Sequence, residues 1–313
     1  MPLPSLTSNP SMQPHLQVSD TSAPATRRFD NGNSAHKVTL YFGNGGPSPD
    51  KTDLMSAIGA YVHRVANSNK NLDNYPLIFS DKYGMETFNK LRDQFLAYSP
   101  AERPMLTGRA NHDVGIYFAY ALRNVRAVMA GEFEFSPNQK IYIVGHGSAS
   151  SDKIRVDDKI LTMKDVSQEL EKIGVPKNIR DIRLTSCYSA DSRKISTLKG
   201  ENLSDFCEKF EENGCVRKAP AEHLLDEMGK AEFDEVTITG YHGAGVYWDG
   251  KEFPKSSLRN ANSPSSASYN PEDMVKRSTV SVKFDHGTSV DGLVKLKGRE
   301  AASNLKCNTL AIR

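Results

Sequence analysis

The chain has 313 residues, and 40 Lys and Arg nearly balance 38 Asp and Glu, which gives a formal net charge of +2. This balance argues against a protein that coats nucleic acid, although it leaves room for a local basic pocket. Four cysteines form no CxxC pair, and Cys207, Cys215 and His223 fit no common zinc spacing, so no metal site is expected. No run of 18 apolar residues occurs, and no membrane span is expected.

The N-terminal segment differs in composition from the rest of the chain. Residues 1–36 are rich in Ser, Thr and Pro and lack the pattern of a cleaved signal peptide. Such a segment buries too little apolar surface to offset the entropy of ordering. It is predicted to be a disordered leader, and a non-cleaved export leader is the sharper alternative. A main folded domain over 37–290 and a C-terminal extension over 291–313 complete the predicted organisation.

The first half of the domain alternates predicted strands and helices. Residues 37–42 and 75–79 are typical of strands, and Asp53 is expected to cap the helix between them. Helical spacing within 85–131 predicts two helices. The apolar run 140–144 predicts a strand that is covered on both faces.

The second half continues this alternation. A small hairpin is expected over 153–161, followed by a helix capped by Thr162. Residues 179–185 predict another strand, and helices are expected over 203–212 and 222–228. An antiparallel β-flap is expected over 236–284. The pattern predicts an α/β fold with a mostly parallel sheet flanked by helices.

Two of the predicted strands end in polar segments that carry candidate catalytic groups. His146 follows one strand and Cys187 follows the next, and 41 positions separate them. This gap fits one strand–helix–strand crossover, which brings both carboxyl ends to one sheet edge. A cysteine nucleophile needs a nearby imidazole to hold a useful thiolate fraction. The pattern predicts a Cys–His dyad, with the N–H groups of Gly147 and Cys187 available to an oxyanion.

Each of these residues also has a simpler interpretation. A single His after a strand is usually a hydrogen-bonded loop residue, and a single Cys is usually buried packing. The occurrence of both at neighbouring strand ends favours catalysis. His242 is the competing base, but its predicted place in the flap makes it the second choice. The serine-hydrolase elbow GxSxG is not met, because Ser148 falls one position too late.

The ordered set of motifs resembles a known family. The segment Ile143-Val144-Gly145-His146-Gly147, followed by a strand that ends in Ser186-Cys187, resembles the caspase-like cysteine peptidases that include clostripain and gingipain. It is more similar to the inositol-hexakisphosphate-activated cysteine protease domain of large autoprocessing RTX toxins. OspB-type injected bacterial effectors resemble that domain too, and the Pro/Ser-rich leader makes them the better match. The likeness covers about residues 37–84 and 138–285, whereas 85–131 has no counterpart in the toxin domain.

The resemblance implies an activity and a setting. It implies a thiol nucleophile at Cys187, an imidazole partner at His146 and cleavage of peptide bonds after a hydrophobic, Leu-like residue. It also implies that host inositol hexakisphosphate activates the enzyme by ordering the flap. Such an effector would be secreted by type III-like injection, with a bacterial secretion chaperone as a candidate partner of its N-terminus. It would act on a host protein in the host cell cytoplasm.

An activator with many phosphates needs converging Lys and Arg side chains. The toxin-like order of elements places such residues after the first helix, after the flap turn and near the last strand. The candidates at these places are Arg64, Lys251, Lys276, Arg277 and Lys283. Further candidates elsewhere in the chain are Arg155, Arg217 and Lys218. Ordinary solvated charges are the alternative interpretation. The family's flap strand carries an Arg near the position of Thr239 and Gly240 here, so one ligand contact is missing.

Two other functions stay open on the same residues. A thioester-forming ligase or transferase would use the same dyad, because hydrolysis and transfer share the thioester intermediate. A non-enzymatic effector would keep the fold and bind a host protein through the helices of 85–131.

Overall fold

The computed structural model describes residues 37–46, 53–68, 71–199, 202–246, 257–286, 290–292 and 305–307, the last two ranges as backbone only. The predicted leader, Lys251 and most of the predicted C-terminal extension lie outside these ranges.

The described elements alternate between strands and helices along the chain. The strands are β1 (Lys37–Tyr41), β2 (Leu77–Phe79), β3 (Ala127–Met129), β4 (Lys140–Ile143), β5 (Lys153–Val156), β6 (Lys159–Thr162), β7 (Asp181–Leu184), β8 (Phe210–Glu212), β9 (Cys215–Arg217), β10 (Thr237–Tyr241), β11 (Ala244–Val246), β12 (Leu258–Asn260), β13 (Val275–Lys276), β14 (Ser281–Phe284), β15 (Val290–Gly292) and β16 (Leu305–Cys307). The helices are α1 (Leu54–Ser68), α2 (Lys82–Leu96), α3 (Ala110–Asn124), α4 (Met163–Lys172) and α5 (Pro220–Lys230).

Seven of the described strands form a central sheet in the order β14-β10-β7-β4-β1-β2-β3. Neighbouring strands are parallel except for β14, which is antiparallel to β10. Helices pack on this sheet, with α1 against α3 and α4 against α5. The prediction of a mostly parallel α/β sheet flanked by helices is therefore confirmed.

Local sequence signals account for several element boundaries. The predicted apolar face of α1 is buried, and its members Leu54, Ile58, Tyr61, Val62 and Val65 are at most 1% exposed. Thr162 begins α4 through a capping box with Asp165, as its sequence predicts. Gly174 ends that helix region with a φ of +84°, a conformation that glycine adopts without steric cost.

The helix predicted over 203–212 is wrong. Only Leu203–Phe206 forms a 3-10 turn, and the chain then forms the antiparallel β8–β9 hairpin. Its turn residues, Asn213 and Gly214, have φ values of 52° and 74°. Asn-Gly is the dipeptide that favours positive φ at both central positions of a hairpin turn, so it outweighs the apolar spacing.

Two segments divide differently from the prediction. The predicted flap contributes β10 and β14 to the central sheet, and the separate antiparallel sheet consists of β11, β12 and β13. Segment 85–131 holds most of α2 and all of α3, but also β3, which pairs with β2 at the sheet edge. Three-residue strands such as β3 are too short for periodicity to reveal.

Candidate active site

His146 and Cys187 lie at the same edge of the central sheet. The strands β4 and β7 are parallel neighbours, and Ile143 pairs with Leu184 at their carboxyl ends. Each candidate residue follows three positions after its member of that pair. The crossover expected from the 41-residue gap is present as the β5–β6 hairpin and α4.

Gly147 brings the two loops into close contact. A Cβ at this position would lie 2.9 Å from Ser186 Oγ and 3.0 Å from the Cys187 carbonyl oxygen, so only glycine fits without a shift. Among the described residues, neither the Gly147 N–H nor the Cys187 N–H has a hydrogen-bond acceptor. Both predicted oxyanion amides are thus uncommitted within the described part of the chain.

The imidazole of His146 is held by a carboxylate that the sequence analysis had assigned another role. Nε2 lies 2.5 Å from Asp53 Oδ1, and the imidazole side chain is 50% exposed. A carboxylate only accepts hydrogen bonds, so Nε2 carries the hydrogen, and in the neutral imidazole the lone pair is on Nδ1. Asp53 directly precedes α1 as predicted, and its other oxygen accepts from the Asp157 N–H at 2.7 Å.

The β5–β6 hairpin fixes both members of this pair. The His146 N–H donates to the Arg155 carbonyl at 2.7 Å, and the Arg155 N–H donates back at 3.0 Å. In the hairpin turn, the Asp157 carboxylate accepts from the Asp53 N–H at 2.8 Å and from the Tyr41 hydroxyl at 2.6 Å. Burial and the hydrogen bond to Asp157 raise the pKa of Tyr41, so its hydroxyl stays a donor.

The loop that carries Cys187 turns sharply at the next residue. Tyr188 has a φ of 56°, which is unusual for a non-glycine residue and marks local strain. Burial, with Cys187 and Asp191 nearby, raises the pKa of Tyr188 to about 12. The neutral phenol donates to the Ala261 carbonyl at 2.8 Å. The Cys187 Sγ accepts from the Gly245 N–H at 3.3 Å, so β11 lies directly beside the thiol.

His242, the competing base, lies buried beneath the loop that carries Cys187. Its Nδ1 meets Asp191 Oδ1, and both side chains are fully buried. The other Asp191 oxygen accepts from the Gly243 N–H at 2.8 Å. Because a fully buried imidazole is out of reach of a substrate, His146 is the better candidate for a base.

No hydrogen bond among the described residues joins Cys187 Sγ to His146. Catalytic hydrogen bonds often form only in the substrate complex. The arrangement is therefore a Cys–His pair at one edge with Asp53 behind the imidazole. Sequence reasoning missed Asp53 because 93 positions separate it from His146, and only the hairpin contact brings them together.

A basic, tyrosine-rich patch lies on one face of the sheet. Register places Thr39, Tyr142, Arg183, Thr239 and Lys283 in one row across five strands, which puts their side chains on the same face. The guanidinium carbons of Arg64, Arg183 and Arg277 lie 5.7, 5.6 and 5.8 Å from the Tyr142 ring centre. We call Arg64, Arg183, Arg277 and Lys283 the basic patch.

Arg183 is a member of this patch that the sequence analysis missed. Burial lowers the pKa of Arg183, but its paired hydrogen bonds to Asp181 more than offset this, so the net shift is upward. The guanidinium of Arg183 therefore stays protonated. Arg183 adjoins Thr239 in the row, where the family resemblance had expected an arginine. A neighbouring strand therefore supplies a guanidinium beside that position.

Three predicted activator residues have other surroundings. Arg155 lies in β5, bonded through its backbone to His146 at the sheet edge. Arg217 pairs with Glu212 at 3.0 Å and Lys218 with Asp226 at 2.5 Å. Arg217 also lines a separate cavity of about 310 Å³ beside α4 and α5. Lys276 is exposed next to Arg277, and Lys251 lies outside the described residues.

No group of three or more His, Cys, Asp or Glu within the described ranges is placed to hold a metal ion. No helix there has the length and apolar character needed to cross a membrane.

A scan against protein-family models finds no match for the chain, and a search of the curated proteins finds none either.

Proposed function

We propose that this chain is a cysteine endopeptidase in which Cys187 is the nucleophile, His146 the base and Asp53 the group that orients the imidazole. The observation that carries the proposal is the convergence of Cys187 and the Asp53–His146 pair at one edge of two parallel strands. Asp53 leaves Nδ1 of His146 as the nitrogen that can accept the thiol proton.

The reaction follows from these roles. The Cys187 sulfur bonds to the carbonyl carbon of the substrate while His146 takes the thiol proton. The carbonyl oxygen becomes an oxyanion, which the N–H groups of Gly147 and Cys187 are available to stabilise. The imidazolium returns the proton to the leaving amine as the C–N bond breaks. Water, with His146 taking its proton, then adds to the thioester carbon; the C–S bond breaks, the acid leaves and the proton returns to the Cys187 sulfur. We propose that the enzyme cleaves the bond that follows a hydrophobic, Leu-like residue of the substrate.

The basic patch supports a polyphosphate activator, for which we propose inositol hexakisphosphate. Three guanidinium groups around one tyrosine ring offer fork-shaped donors to several phosphates at once. Arg277 directly follows β13 of the flap, so a ligand bound there would favour the ordered flap by its affinity for that state. We propose the host cytoplasm as the place of action after type III-like secretion.

Product chemistry separates hydrolysis from ligation. We expect purified protein with inositol hexakisphosphate to cut peptides in H₂¹⁸O and to place ¹⁸O in each new carboxylate, because water completes the reaction. Mass spectrometry of a peptide library incubated with an added primary amine gives the readout. Products that carry the amine at the cut position, without ¹⁸O, would support the thioester ligase or transferase instead.

Replacement of Asp53 tests the orienting role. We expect Asp53→Asn to lower kcat by about 10²–10⁴-fold, because an amide N–H₂ facing Nε2 selects the wrong imidazole tautomer. Steady-state kinetics with a Leu-containing peptide measure the loss. Asp158→Asn, an exposed acid in the turn of the β5–β6 hairpin, is the control and should retain wild-type kcat. Equal kcat values for both variants would remove Asp53 from the mechanism.

A second candidate function, binding of a host protein through 85–131, has one observation in its favour. The connection between α2 and α3 exposes Tyr98 (74%) and Met105 (88%). The same connection is fastened by Arg103, which donates to the Val65 and Ala66 carbonyls at 3.1 and 3.0 Å. A loop that is held at one point and exposes apolar side chains suits a protein contact.

A further inference from the structure

Arg259 is a fully buried arginine on β12 that binds the backbone of the nucleophile loop. Its side chain is 1% exposed. Nη2 donates to the Thr185 carbonyl at 2.8 Å, and Nη1 donates to the Ser186 carbonyl at 3.1 Å. Nη1 also reaches the Gly243 carbonyl at 2.9 Å, which accepts from the Tyr188 N–H as well. One guanidinium therefore holds the two carbonyls that precede Cys187 and also the carbonyl that accepts from the residue after it.

These contacts determine the direction of the amides on the other side of the same peptide units. In a trans peptide the C=O and N–H groups point in opposite directions. The carbonyls of Thr185 and Ser186 converge on Arg259, so the N–H groups of Ser186 and Cys187 both point away from it. Within the described residues, neither of these two N–H groups has an acceptor. Successive N–H groups on one side form a concave site for an anion.

We propose that Arg259 is a positioning residue that aims the Cys187 N–H at the substrate's oxyanion. It does so by gripping the carbonyl at the opposite end of the Ser186–Cys187 peptide unit, and it does not touch substrate itself. The inference rests on the proposed function. Its physical basis is that oxyanion stabilisation depends on donors that are oriented before the reaction.

Two reagents distinguish this positioning role from a purely structural role of Arg259. An alkylating reagent such as iodoacetamide displaces iodide from carbon and forms no oxyanion, so it reports only on the thiol. A peptide aldehyde adds to the same sulfur and places an oxygen where the oxyanion forms. Loss of a mere structural support would reduce both reactions, whereas loss of the amide's orientation reduces only the second.

The test compares Arg259→Lys and Arg259→Gln with the parent chain, in a Cys215→Ala background that removes the second free thiol of the described residues. We expect affinity for a peptide aldehyde ending in leucinal to fall in both variants. We expect kcat on the matching peptide to fall by about 10–10²-fold with little change in KM. The rate of iodoacetamide alkylation at Cys187 should stay close to the parent value. Arg180→Lys, an exposed arginine, is the matched control.

Three outcomes overturn the inference: unchanged aldehyde affinity, parallel losses in alkylation and turnover, or a parent–aldehyde structure whose oxygen points away from the Cys187 N–H. The last measurement needs no variant, so it decides the matter even if Arg259 variants do not fold. A parent chain that binds the aldehyde but cleaves no peptide would contradict the proposed function alone, because the aldehyde comparison still tests Arg259.

Discussion

Replacement of Cys187 by alanine is expected to abolish peptide cleavage. Loss of a covalent nucleophile typically lowers kcat by about 10⁴-fold or more, because no thioester can form. His146→Ala should produce a loss of similar size, since it removes the acceptor of the thiol proton. A discontinuous peptide-cleavage assay with inositol hexakisphosphate present measures both.

The exposed free cysteine supplies the control for this experiment. Cys215→Ala removes a thiol in the β8–β9 hairpin and should leave kcat unchanged. Thermal melting of each variant separates a loss of chemistry from a loss of folding. A Cys187→Ala chain that still cleaves peptides would disprove the protease assignment. One that cleaves nothing but keeps its full effect in cells would favour host-protein binding through 85–131.

Inositol hexakisphosphate is expected to stabilise the folded chain strongly. At a ligand concentration one hundredfold above Kd, binding should raise Tm by about 5–10 °C for a domain of this size. Arg183→Gln and Arg277→Gln should each reduce the shift, because each removes a fork-shaped phosphate donor from the basic patch. Added salt should reduce it as well, because the attraction between ligand and patch is electrostatic. Differential scanning fluorimetry gives the readout.

Two controls make the melting experiment specific. Inositol without phosphates should leave Tm unchanged, and Arg180→Gln should keep the wild-type shift because that residue is exposed and pairs with Glu235. In the wild-type chain Lys140 Nζ also lies 3.4 Å from the Asp181 carboxylate. We therefore expect this carboxylate to retain a basic neighbour when Arg183 is replaced. No shift in the wild-type chain, or equal shifts in the patch variants, would contradict the activator site.

Local signals in the sequence sufficed for most of the framework. The apolar runs at 140–144 and 179–185 predicted the strands β4 and β7, and the polar segments after them supplied His146 and Cys187. Thr162 and Gly174 marked the helix between. These signals work because a parallel strand buried on both faces needs consecutive apolar residues, and a helix end needs a cap. The Asn213–Gly214 turn shows the limit, because apolar spacing over 203–212 is typical of a helix although the dipeptide that follows favours a hairpin.

The sequence by itself determined the alternating α/β pattern, the candidate dyad and part of the basic patch. Only the tertiary structure decided that Asp53 supports His146, that Arg183 joins the patch and that Arg259 holds the nucleophile loop. Each of these three roles depends on a contact between residues far apart in the chain. Strand order and the packing of the flap create such contacts. The periodicity of a sequence indicates only whether a side chain is buried, not which residues it contacts.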